Sequence, residues 1–429
     1  MKFTIITLGC KVNSYESEYI KEKFNEKGYR EVSLKDIPDV AIINTCSVTN
    51  QSDAKSRHFI RLARRMCPDA IIVACGCSVQ NHKEGLRETG ADILLGNKDK
   101  SLIVDYVEKF KLDNKPTSKF YELEKVEFED MFLKNKENHT RAFVKIQDGC
   151  ENFCSYCIIP YLRGSRRNKD IDLANEEIRN LVAMGHKEIV LTGIHTGSYG
   201  VGESYDLVDL IQRISSIPEL ERIRISSIEI TELGSKFLEE LSTNPKLCDH
   251  MHIPLQSGSN KILKLMNRKY DLEYFKNKID SIRKIRPDMN ITTDLIVGFP
   301  YETDEDFDNT LKFLKEIGFT KIHTFPFSLR NGTEAEKMKE HFVDEKTKSD
   351  RVHKVLELSD KLEETYYRKF IGRSLDIIVE KSSTGTTKGH TSNYILVNIE
   401  GQHCEGETVK IKIDSVDGKS VNGHEENIE

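Results

Sequence analysis

The sequence lacks tryptophan altogether and contains no apolar run long enough to span a bilayer. Its start also lacks a basic lead followed by a long apolar stretch, so it does not resemble a signal peptide. These absences predict a cytoplasmic protein with no membrane partner. A net charge of −6 argues against indiscriminate nucleic-acid binding by the whole molecule. With 429 residues, the chain is expected to form two or three domains.

Cysteine is plentiful by comparison, with ten residues. Thiols of cytoplasmic proteins stay reduced, and a chain of this length buries an ample core without covalent cross-links. We therefore expect clustered cysteines to bind metal or to act in catalysis, and not to form disulfides.

Strand and helix signals alternate along most of the chain, which predicts an α/β fold. Residues 1–110 follow a βαβα order that is typical of a parallel sheet covered by helices. Residues 111–139 are polar and charged, and we interpret them as a linker. A second alternating series over residues 140–369 predicts a full or partial (β/α) barrel. Its strands are expected at Ala142–Ile146, Glu188–Thr192, Arg222–Ser226, His250–Pro254, Asn290–Val297 and Lys321–Phe327.

Beyond Phe370 the pattern changes to short alternating strands separated by glycine and threonine turns. This change predicts a small β barrel over residues 370–429. The module holds six Lys and Arg against ten Asp and Glu, an unusual balance for a module expected to bind RNA. Its strands are expected at Leu375–Val379, Tyr394–Ile399 and Thr408–Asp414.

The strongest local signal is Cys150-x3-Cys154-x2-Cys157, called here the Cys150 set, in a loop after the first expected barrel strand. Barrel enzymes place their chemistry at the carboxyl ends of the strands. Three thiolates leave one iron of a four-iron cluster without a protein ligand, whereas electron-transfer clusters usually have four cysteines. The open iron predicts direct binding of S-adenosylmethionine and radical chemistry. The alternative is a zinc site, which needs a fourth ligand such as His139.

Three further cysteines, called here the Cys10 set, follow three strands of the expected N-terminal sheet: Cys10, Cys46 and Cys77. Because βα loops of a parallel sheet emerge on the same edge, these thiols are expected to converge on one small volume. There they would hold a second iron–sulfur cluster, again with an open iron. Cys75 competes with Cys77, which we favour because Gly76 lets the backbone turn its thiol outward. The alternative is that these are ordinary buried cysteines.

Several stretches together resemble the radical S-adenosylmethionine methylthiotransferases over nearly the whole chain. They are KIQDGCENFCSYCIIPYLRGSRR (Lys145–Arg167), HIPLQSGSNKILKLMNR (His252–Arg268) and TTDLIVGFPYETDEDF (Thr292–Phe307). The C-terminal module resembles a TRAM domain, an RNA-binding β barrel. Within the family, TLGCKVNSYESE (Thr7–Glu18) and LTGIHTGSYG (Leu191–Gly200) resemble the branch that acts on threonylcarbamoyladenosine in tRNA.

This resemblance implies an enzyme that replaces the C2 hydrogen of adenosine 37, beside the anticodon, with a methylthio group. It also implies two [4Fe–4S] clusters: one on the Cys150 set that reduces S-adenosylmethionine, and one on the Cys10 set that carries the sulfur. A second S-adenosylmethionine methylates that sulfur. The implied partners are the anticodon arm of tRNA and an electron donor such as flavodoxin or ferredoxin. The sulfur donor stays open.

Loop positions after the barrel strands are the expected contacts for S-adenosylmethionine. Gly193 follows the second strand and permits a close approach of the backbone to the methionine end. Gln256 and Ser257 follow the fourth strand, and Gly298 follows the fifth. An ordinary turn or cap role is the alternative for each of them.

Arg163, Arg166 and Arg167 form a basic patch close to Cys157. Guanidinium groups bind carboxylates and phosphates through charge and forked hydrogen bonds. The patch is therefore expected to contact S-adenosylmethionine or a tRNA phosphate, with a solvated surface as the alternative.

Three rival interpretations remain open at this point. A non-catalytic electron carrier with an RNA-binding tail would need four-coordinate clusters. A zinc-dependent RNA-binding protein would contain no iron. Within the family, the rival substrates are isopentenyladenosine in tRNA and an aspartate of a ribosomal protein.

Overall fold

The computed structural model describes residues 1–123, 126–134, 140–383 and 385–426. The N-terminal part is one parallel sheet of six strands in the order β2-β1-β3-β4-β5-β6. Strands β3 and β4 are buried along their whole length, as expected for continuous apolar runs covered on both faces. The strands are β1 (Lys2–Thr7), β2 (Arg30–Glu31), β3 (Val40–Thr45), β4 (Ile71–Gly76), β5 (Ile93–Leu95) and β6 (Thr117–Lys119).

The helices of this part follow the strands and cover the sheet. Cys10 is the N-cap residue of the first helix, and the Thr49 side chain caps the second by accepting a hydrogen bond from Ser52 N. The helices are α1 (Lys11–Glu26), α2 (Asn50–Met66), α3 (Cys77–His82) and α4 (Ile103–Asp113).

The central part is a partial barrel whose parallel strands lie in the order β7-β10-β11 and β12-β13-β14. Hydrogen bonds from Ile223 to the backbone around Cys248 join the two halves. A short antiparallel pair, β8 with β9, brackets the loop that carries the Cys150 set. The strands are β7 (Arg141–Lys145), β8 (Gln147–Asp148), β9 (Arg167–Asn168), β10 (Glu188–Thr192), β11 (Arg222–Ile225), β12 (His250–His252), β13 (Asn290–Val297) and β14 (Lys321–Pro326).

Helices surround the outside of this partial barrel, and their apolar faces join its strands in one large core. The last helix packs across β14, where the Ser359 hydroxyl accepts a hydrogen bond from Ile322 N. The helices are α5 (Ile159–Arg163), α6 (Ile171–Ala183), α7 (Leu207–Ser215), α8 (Ser235–Thr243), α9 (Asn260–Leu265), α10 (Leu272–Ile285), α11 (Asp304–Ile317) and α12 (Glu345–Arg368).

The C-terminal part is a closed five-stranded barrel in the order β15-β16-β17-β19-β18. Inward-facing apolar side chains fill it, which gives this part a core of its own. The strands are β15 (Ser374–Ser383), β16 (Thr386–Thr391), β17 (Leu396–Glu400), β18 (Thr408–Asp417) and β19 (Ser420–Glu425).

The C-terminal barrel sits against the amino ends of the central strands. Arg222, which begins β11, donates hydrogen bonds to the carbonyls of His390 and Asp376. Asn290, which begins β13, donates to the carbonyl of Asn393 at 2.7 Å. The loop with the Cys150 set follows the carboxyl end of β7, which lies parallel to β10 and β11 in the same sheet. The C-terminal barrel and the Cys150 set therefore lie at opposite ends of the central part.

A buried ionic network joins the N-terminal sheet to the central part. Glu16 of α1 pairs with Lys100, with Lys145 at 2.9 Å and with Arg163 at 3.3 Å. Asp148 pairs with Lys145 at 2.8 Å and with Arg163 at 2.9 Å. Burial alone raises the pKa of Glu16, but these three cations hold it well below its ordinary value. The carboxylate is therefore charged in the folded protein.

The structure confirms the predicted fold class: a parallel α/β part, a partial (β/α) barrel and a small closed β barrel. The domain boundaries stay predictions. Within the segment interpreted as a linker, Thr117–Lys119 forms β6 and pairs with β5. No helix among the described residues is long and apolar enough to cross a membrane.

Replacing Glu16 with glutamine should lower the free energy of unfolding by about 3–5 kcal/mol, because it leaves buried cations without their anion. Urea titration of the purified protein measures this. Glu84→Gln is the matched control, since Glu84 is exposed and forms a surface ion pair with Arg87. The control should change stability by less than about 1 kcal/mol. Equal effects of the two substitutions would show that the network does not hold the interface.

Candidate functional site

The Cys10 set meets at the carboxyl edge of the N-terminal sheet. Cys10 lies after β1, Cys46 directly follows β3, and Cys77 directly follows β4. Gly9, at φ +99°, makes the close approach of the first two loops possible, because a Cβ there would lie 2.7 Å from Cys46 Cβ. Because β1, β3 and β4 are neighbours in the sheet, their loops bring the three thiols together.

Without a metal, the environment of the Cys10 set favours protonated thiols. Burial and the neighbouring Cys77 and Cys10 thiols together raise the pKa of the Cys46 thiol to about 11. Cys10 is exposed and lines two cavities, yet the surrounding protein raises its pKa, while Arg163 opposes that shift. Three free thiols beside a buried guanidinium fit an iron–sulfur cluster, whose thiolates need a nearby cation.

Cys75 and Cys77 have different surroundings. Cys75 lies inside β4, its Sγ is 3.8 Å from Asn44 Oδ1, and burial raises its pKa to about 12. Cys77 begins α3 and packs against Ile158 and Leu162, which follow the Cys150 set. The position of Cys77 between the two cysteine sets favours it as the third ligand.

The Cys150 set lies in the loop between β8 and α5, where all three residues are half-buried. Backbone hydrogen bonds shape the loop: Cys157 N donates to Cys154 O at 2.9 Å, and Cys150 N donates to Gly164 O at 3.1 Å. Burial raises the pKa of Cys157 to about 12, and the adjacent thiols add to this effect. The three thiols therefore lie close together.

Two cationic side chains that the sequence analysis did not identify contact the Cys150 set. Arg268 Nη1 donates to Cys154 Sγ at 3.3 Å. Burial lowers the pKa of His195, but hydrogen bonds to Cys150 and to Glu232 raise it to about 10 overall. Both groups stabilise thiolate over thiol, as a cluster site requires.

Within the described residues, no three His, Cys, Asp or Glu side chains lie close enough to share a single metal ion. A four-iron cluster does not need such convergence, because each cysteine binds a different iron. The zinc alternative requires it. His139, its expected fourth ligand, lies outside the described residues.

The two cysteine sets adjoin each other through α3 and α5. Asn97 Nδ2 donates both to Cys77 Sγ at 3.3 Å and to Leu162 O at 2.8 Å. Arg163, at the end of α5, donates to Asn13 Oδ1 at 2.9 Å. These hydrogen bonds of Asn97 and Arg163 join the loops of the Cys10 set to the segment that follows the Cys150 set.

Two members of the expected basic patch, Arg163 and Arg167, are buried, so the alternative of a solvated surface does not hold for them. Arg163 is 0% exposed and lies in the buried network described above, and Arg167 is buried and pairs with Asp148 at 3.1 Å. Both carboxylates of that network lie inside the protein, so both guanidinium groups turn inward. Arg166 stays near the surface, where it pairs with Glu151 at 2.5 Å. A tRNA phosphate does not reach the two buried groups.

Cys10 lines two cavities. The lumen cavity, of about 680 Å³, runs inside the partial barrel from Cys10 and Gly193 to Tyr394. The outer cavity, of about 620 Å³, lies between the Cys46 loop and the end of β14. Both offer space for a small molecule beside the Cys10 set.

The predicted cofactor contacts differ in position. Gly193 lines the lumen cavity, as expected for a close approach to a ligand. Gln256, Ser257 and Gly298 do not line it. Ser257 is buried, and Gly298 N donates to Glu302 Oε1 at 2.8 Å. Gln256 forms a β-bridge with Leu295 of β13. The role of these three residues toward S-adenosylmethionine stays a prediction.

Comparison with known proteins gives matches at family level. A family model described as Radical SAM superfamily matches residues 144–314, and one described as Uncharacterized protein family UPF0004 matches residues 2–96. A threonylcarbamoyladenosine tRNA methylthiotransferase MtaB from Bacillus subtilis (strain 168) is 40% identical over 95% of this chain and 92% of its own length. An MtaB protein of the same description from Aquifex aeolicus (strain VF5) is 37% identical, and the match covers 96% of this chain and 100% of that protein. A tRNA-2-methylthio-N(6)-dimethylallyladenosine synthase from Clostridium tetani (strain Massachusetts / E88) is 34% identical, and the match covers 99% of this chain and 96% of that protein.

Among solved structures, the radical S-adenosylmethionine methyltransferase TsrM from Kitasatospora setae superposes with a TM-score of 0.58. That structure contains cobalamin and a [4Fe-4S] cluster, and the match covers 78% of this chain and 76% of that chain at 12% identity. At such identity the likeness shows the fold alone.

Replacing any one cysteine of either set with alanine should halve the bound iron and sulfide of the anaerobically reconstituted protein, since each set binds its own cluster. Cys75→Ala is the matched control and should keep the full content. Metal analysis and sulfide determination measure both. Iron lost with Cys75→Ala but kept with Cys77→Ala would reverse the assignment of the third ligand, and zinc without iron would refute both clusters.

Proposed function

This chain belongs to the methylthiotransferases of the radical SAM superfamily, with MtaB-type relatives along nearly its whole length. On that premise we propose that it replaces the C2 hydrogen of N6-threonylcarbamoyladenosine at position 37 of tRNA with a methylthio group. S-adenosylmethionine serves as radical source and methyl donor. The observation that carries the proposal is the junction of two cysteine sets, one at the mouth of a partial barrel and one beside two open cavities.

The chemistry explains why two sets are needed. The C2–H bond of adenine is neither acidic nor polarised, so proton transfer by a side chain cannot activate it. When bound, a cluster on the Cys150 set supplies the electron that cleaves S-adenosylmethionine, and a cluster on the Cys10 set supplies the sulfur. The second cluster is part of the proposal and rests on the donor set at the sheet edge. The reaction also requires a one-electron donor, such as flavodoxin or ferredoxin, to reduce the cluster on the Cys150 set.

The chain's own residues hold these groups and compensate their charge. Arg268 and His195 place positive charge beside the Cys150 set, and Arg163 does the same beside the Cys10 set. His195 is fixed by Glu232 at 2.6 Å and by Gln147, which accepts from His195 N at 2.7 Å. Such fixed charges keep thiolates ionised in a site that excludes most water.

A basic face on α2 is the surface that we propose for the tRNA backbone. Lys55, His58, Arg61 and Arg65 are exposed along one side of the helix, and no acidic residue follows Asp53 within it. Among the described residues no carboxylate pairs with the three Lys and Arg side chains. The first and last of these residues are ten positions apart, which corresponds to about 15 Å along the helix axis, a length suited to several phosphates.

The position of this face supports its role. Helix α2 begins four residues after Cys46, and its first turn lines the outer cavity. The C-terminal barrel, by contrast, is acidic and sits at the other end of the central part. We therefore propose that the basic face of α2 attracts the tRNA phosphates toward the cysteine sets.

The reconstituted protein with S-adenosylmethionine and a one-electron reductant should convert tRNA that carries threonylcarbamoyladenosine into its 2-methylthio form. Mass spectrometry of the digested nucleosides measures the product. tRNA with isopentenyladenosine and the ribosomal-protein aspartate are the comparison substrates. Turnover of either comparison substrate in place of the first would reassign the branch.

The triple variant Lys55→Gln, Arg61→Gln, Arg65→Gln should bind tRNA more weakly than the wild-type protein. The slope of the logarithm of the binding constant against the logarithm of the salt concentration should become shallower by about 2–3, because each phosphate contact contributes about 0.7–0.9 to that slope. Equilibrium binding at several salt concentrations measures both. Lys284→Gln, Lys354→Gln and Lys361→Gln remove the same charge from exposed positions elsewhere and serve as the control. Equal slopes for the two triple variants would remove α2 from the interface.

A further inference from the structure

The wall of the lumen cavity carries buried nitrogen groups whose hydrogen-bonding capacity is not used. Arg224 and His250 both line it, at 2% and 7% exposure. Arg224 Nε donates to Glu188 at 2.6 Å, yet its Nη2 has no hydrogen-bond partner among the described residues. His250 Nδ1 also has none. Buried donors without partners cost free energy, which indicates that a ligand with acceptor atoms belongs here.

Lys11 adds a second cation to the same cavity, beside Arg224. It directly follows Cys10, lines the cavity with it, and forms no ion pair with a described residue. The carboxylates nearby are already engaged, since Asp294 pairs with His252 at 3.3 Å and Glu229 pairs with Arg268. The inner part of the cavity therefore presents Lys11 without an ion-pair partner among the described residues, next to the unpartnered Nη2 of Arg224.

Tyr394 of the C-terminal barrel forms the floor of this cavity. Its ring stacks on His250 with centroids 4.7 Å apart and on His390 at 4.6 Å. The guanidinium of Arg224 lies 4.7 Å from the same ring. The stack fixes the arginine and the histidine in place, so the unpaired donors form a rigid receptor and not a mobile surface.

We propose that Lys11, Arg224 and His250 bind the carboxylate of the threonylcarbamoyl group of the substrate. This inference rests on the proposed function and extends it to the choice between substrates. The threonylcarbamoyl group ends in a carboxylate, whereas a dimethylallyl group is a hydrocarbon. A receptor of buried donors binds the first and rejects the second, because the hydrocarbon leaves those donors unpaired. Lys11, next to Cys10, holds the modified base beside the Cys10 set.

S-adenosylmethionine also carries a carboxylate, so the test must separate the two ligands. The probes are an anticodon stem-loop RNA with threonylcarbamoyladenosine, the same RNA with the threonyl carboxylate converted to a carboxamide, and S-adenosylmethionine itself. The reconstituted wild-type protein should bind the carboxylate RNA at least about tenfold more tightly than the carboxamide RNA. Lys11→Gln should bring that ratio close to one and leave the affinity for S-adenosylmethionine unchanged.

Two further variants control the experiment. Lys11→Arg keeps the charge and should retain the discrimination, which separates charge from packing. Lys354→Gln removes a lysine from the outer face of α12 and should leave every affinity unchanged. Iron and sulfide content measured on each variant confirms that the cysteine sets are intact.

The outcomes separate this inference from the proposed function. Equal affinity of the wild-type protein for both RNAs, with methylthiolation still observed, would overturn the carboxylate receptor alone. A Lys11→Gln variant that keeps the discrimination but loses affinity for S-adenosylmethionine would assign the receptor to the cofactor and overturn the inference. Absence of methylthiolation of the carboxylate RNA by the wild-type protein would overturn the proposed function itself.

Discussion

The buried guanidinium of Arg163 is the point on which the arrangement of the molecule depends. Arg163 follows the Cys150 set by a few residues and belongs to the central part. Two of its partners, Asn13 and Glu16, lie in α1 of the N-terminal part, and a third, Asp148, lies in the central part. A fully buried charge is stable only when such partners are in place. The need to pair the buried charge of Arg163 therefore fixes the position of the N-terminal sheet relative to the central barrel. In that position the Cys10 set faces the Cys150 set.

Both α/β parts present the same end of their sheets to this interface. Loops after parallel strands emerge at the carboxyl edge, so cysteines distant in sequence meet there. Asn97, at the end of the N-terminal sheet, binds Cys77 on one side and the backbone of α5 on the other. The two sites are thus built as one unit, and the central barrel supplies the lumen cavity, which Cys10 lines.

Features that depend on short-range patterns were predictable from the sequence. Strands β10 and β13 occupy the predicted residues, because buried parallel strands are continuous apolar runs. Strand β16, with the sequence TTKGHT, was missed because it is polar and stabilised by its neighbours in the closed barrel. The inward turn of Arg163 depends on Glu16, 147 residues away, and no local pattern reports such a pairing. Arg268 and His195 were missed for the same reason.

The stacked tyrosine at the end of the C-terminal barrel has a consequence for traffic through the enzyme. Tyr394 lines the lumen at the end that faces the C-terminal barrel, and Cys10 and Gly193 line its other end. In the proposed reaction, a nucleoside and a cofactor that both enter beside the cysteine loops would occupy the same chamber. Release of the RNA would then have to precede exchange of the spent cofactor.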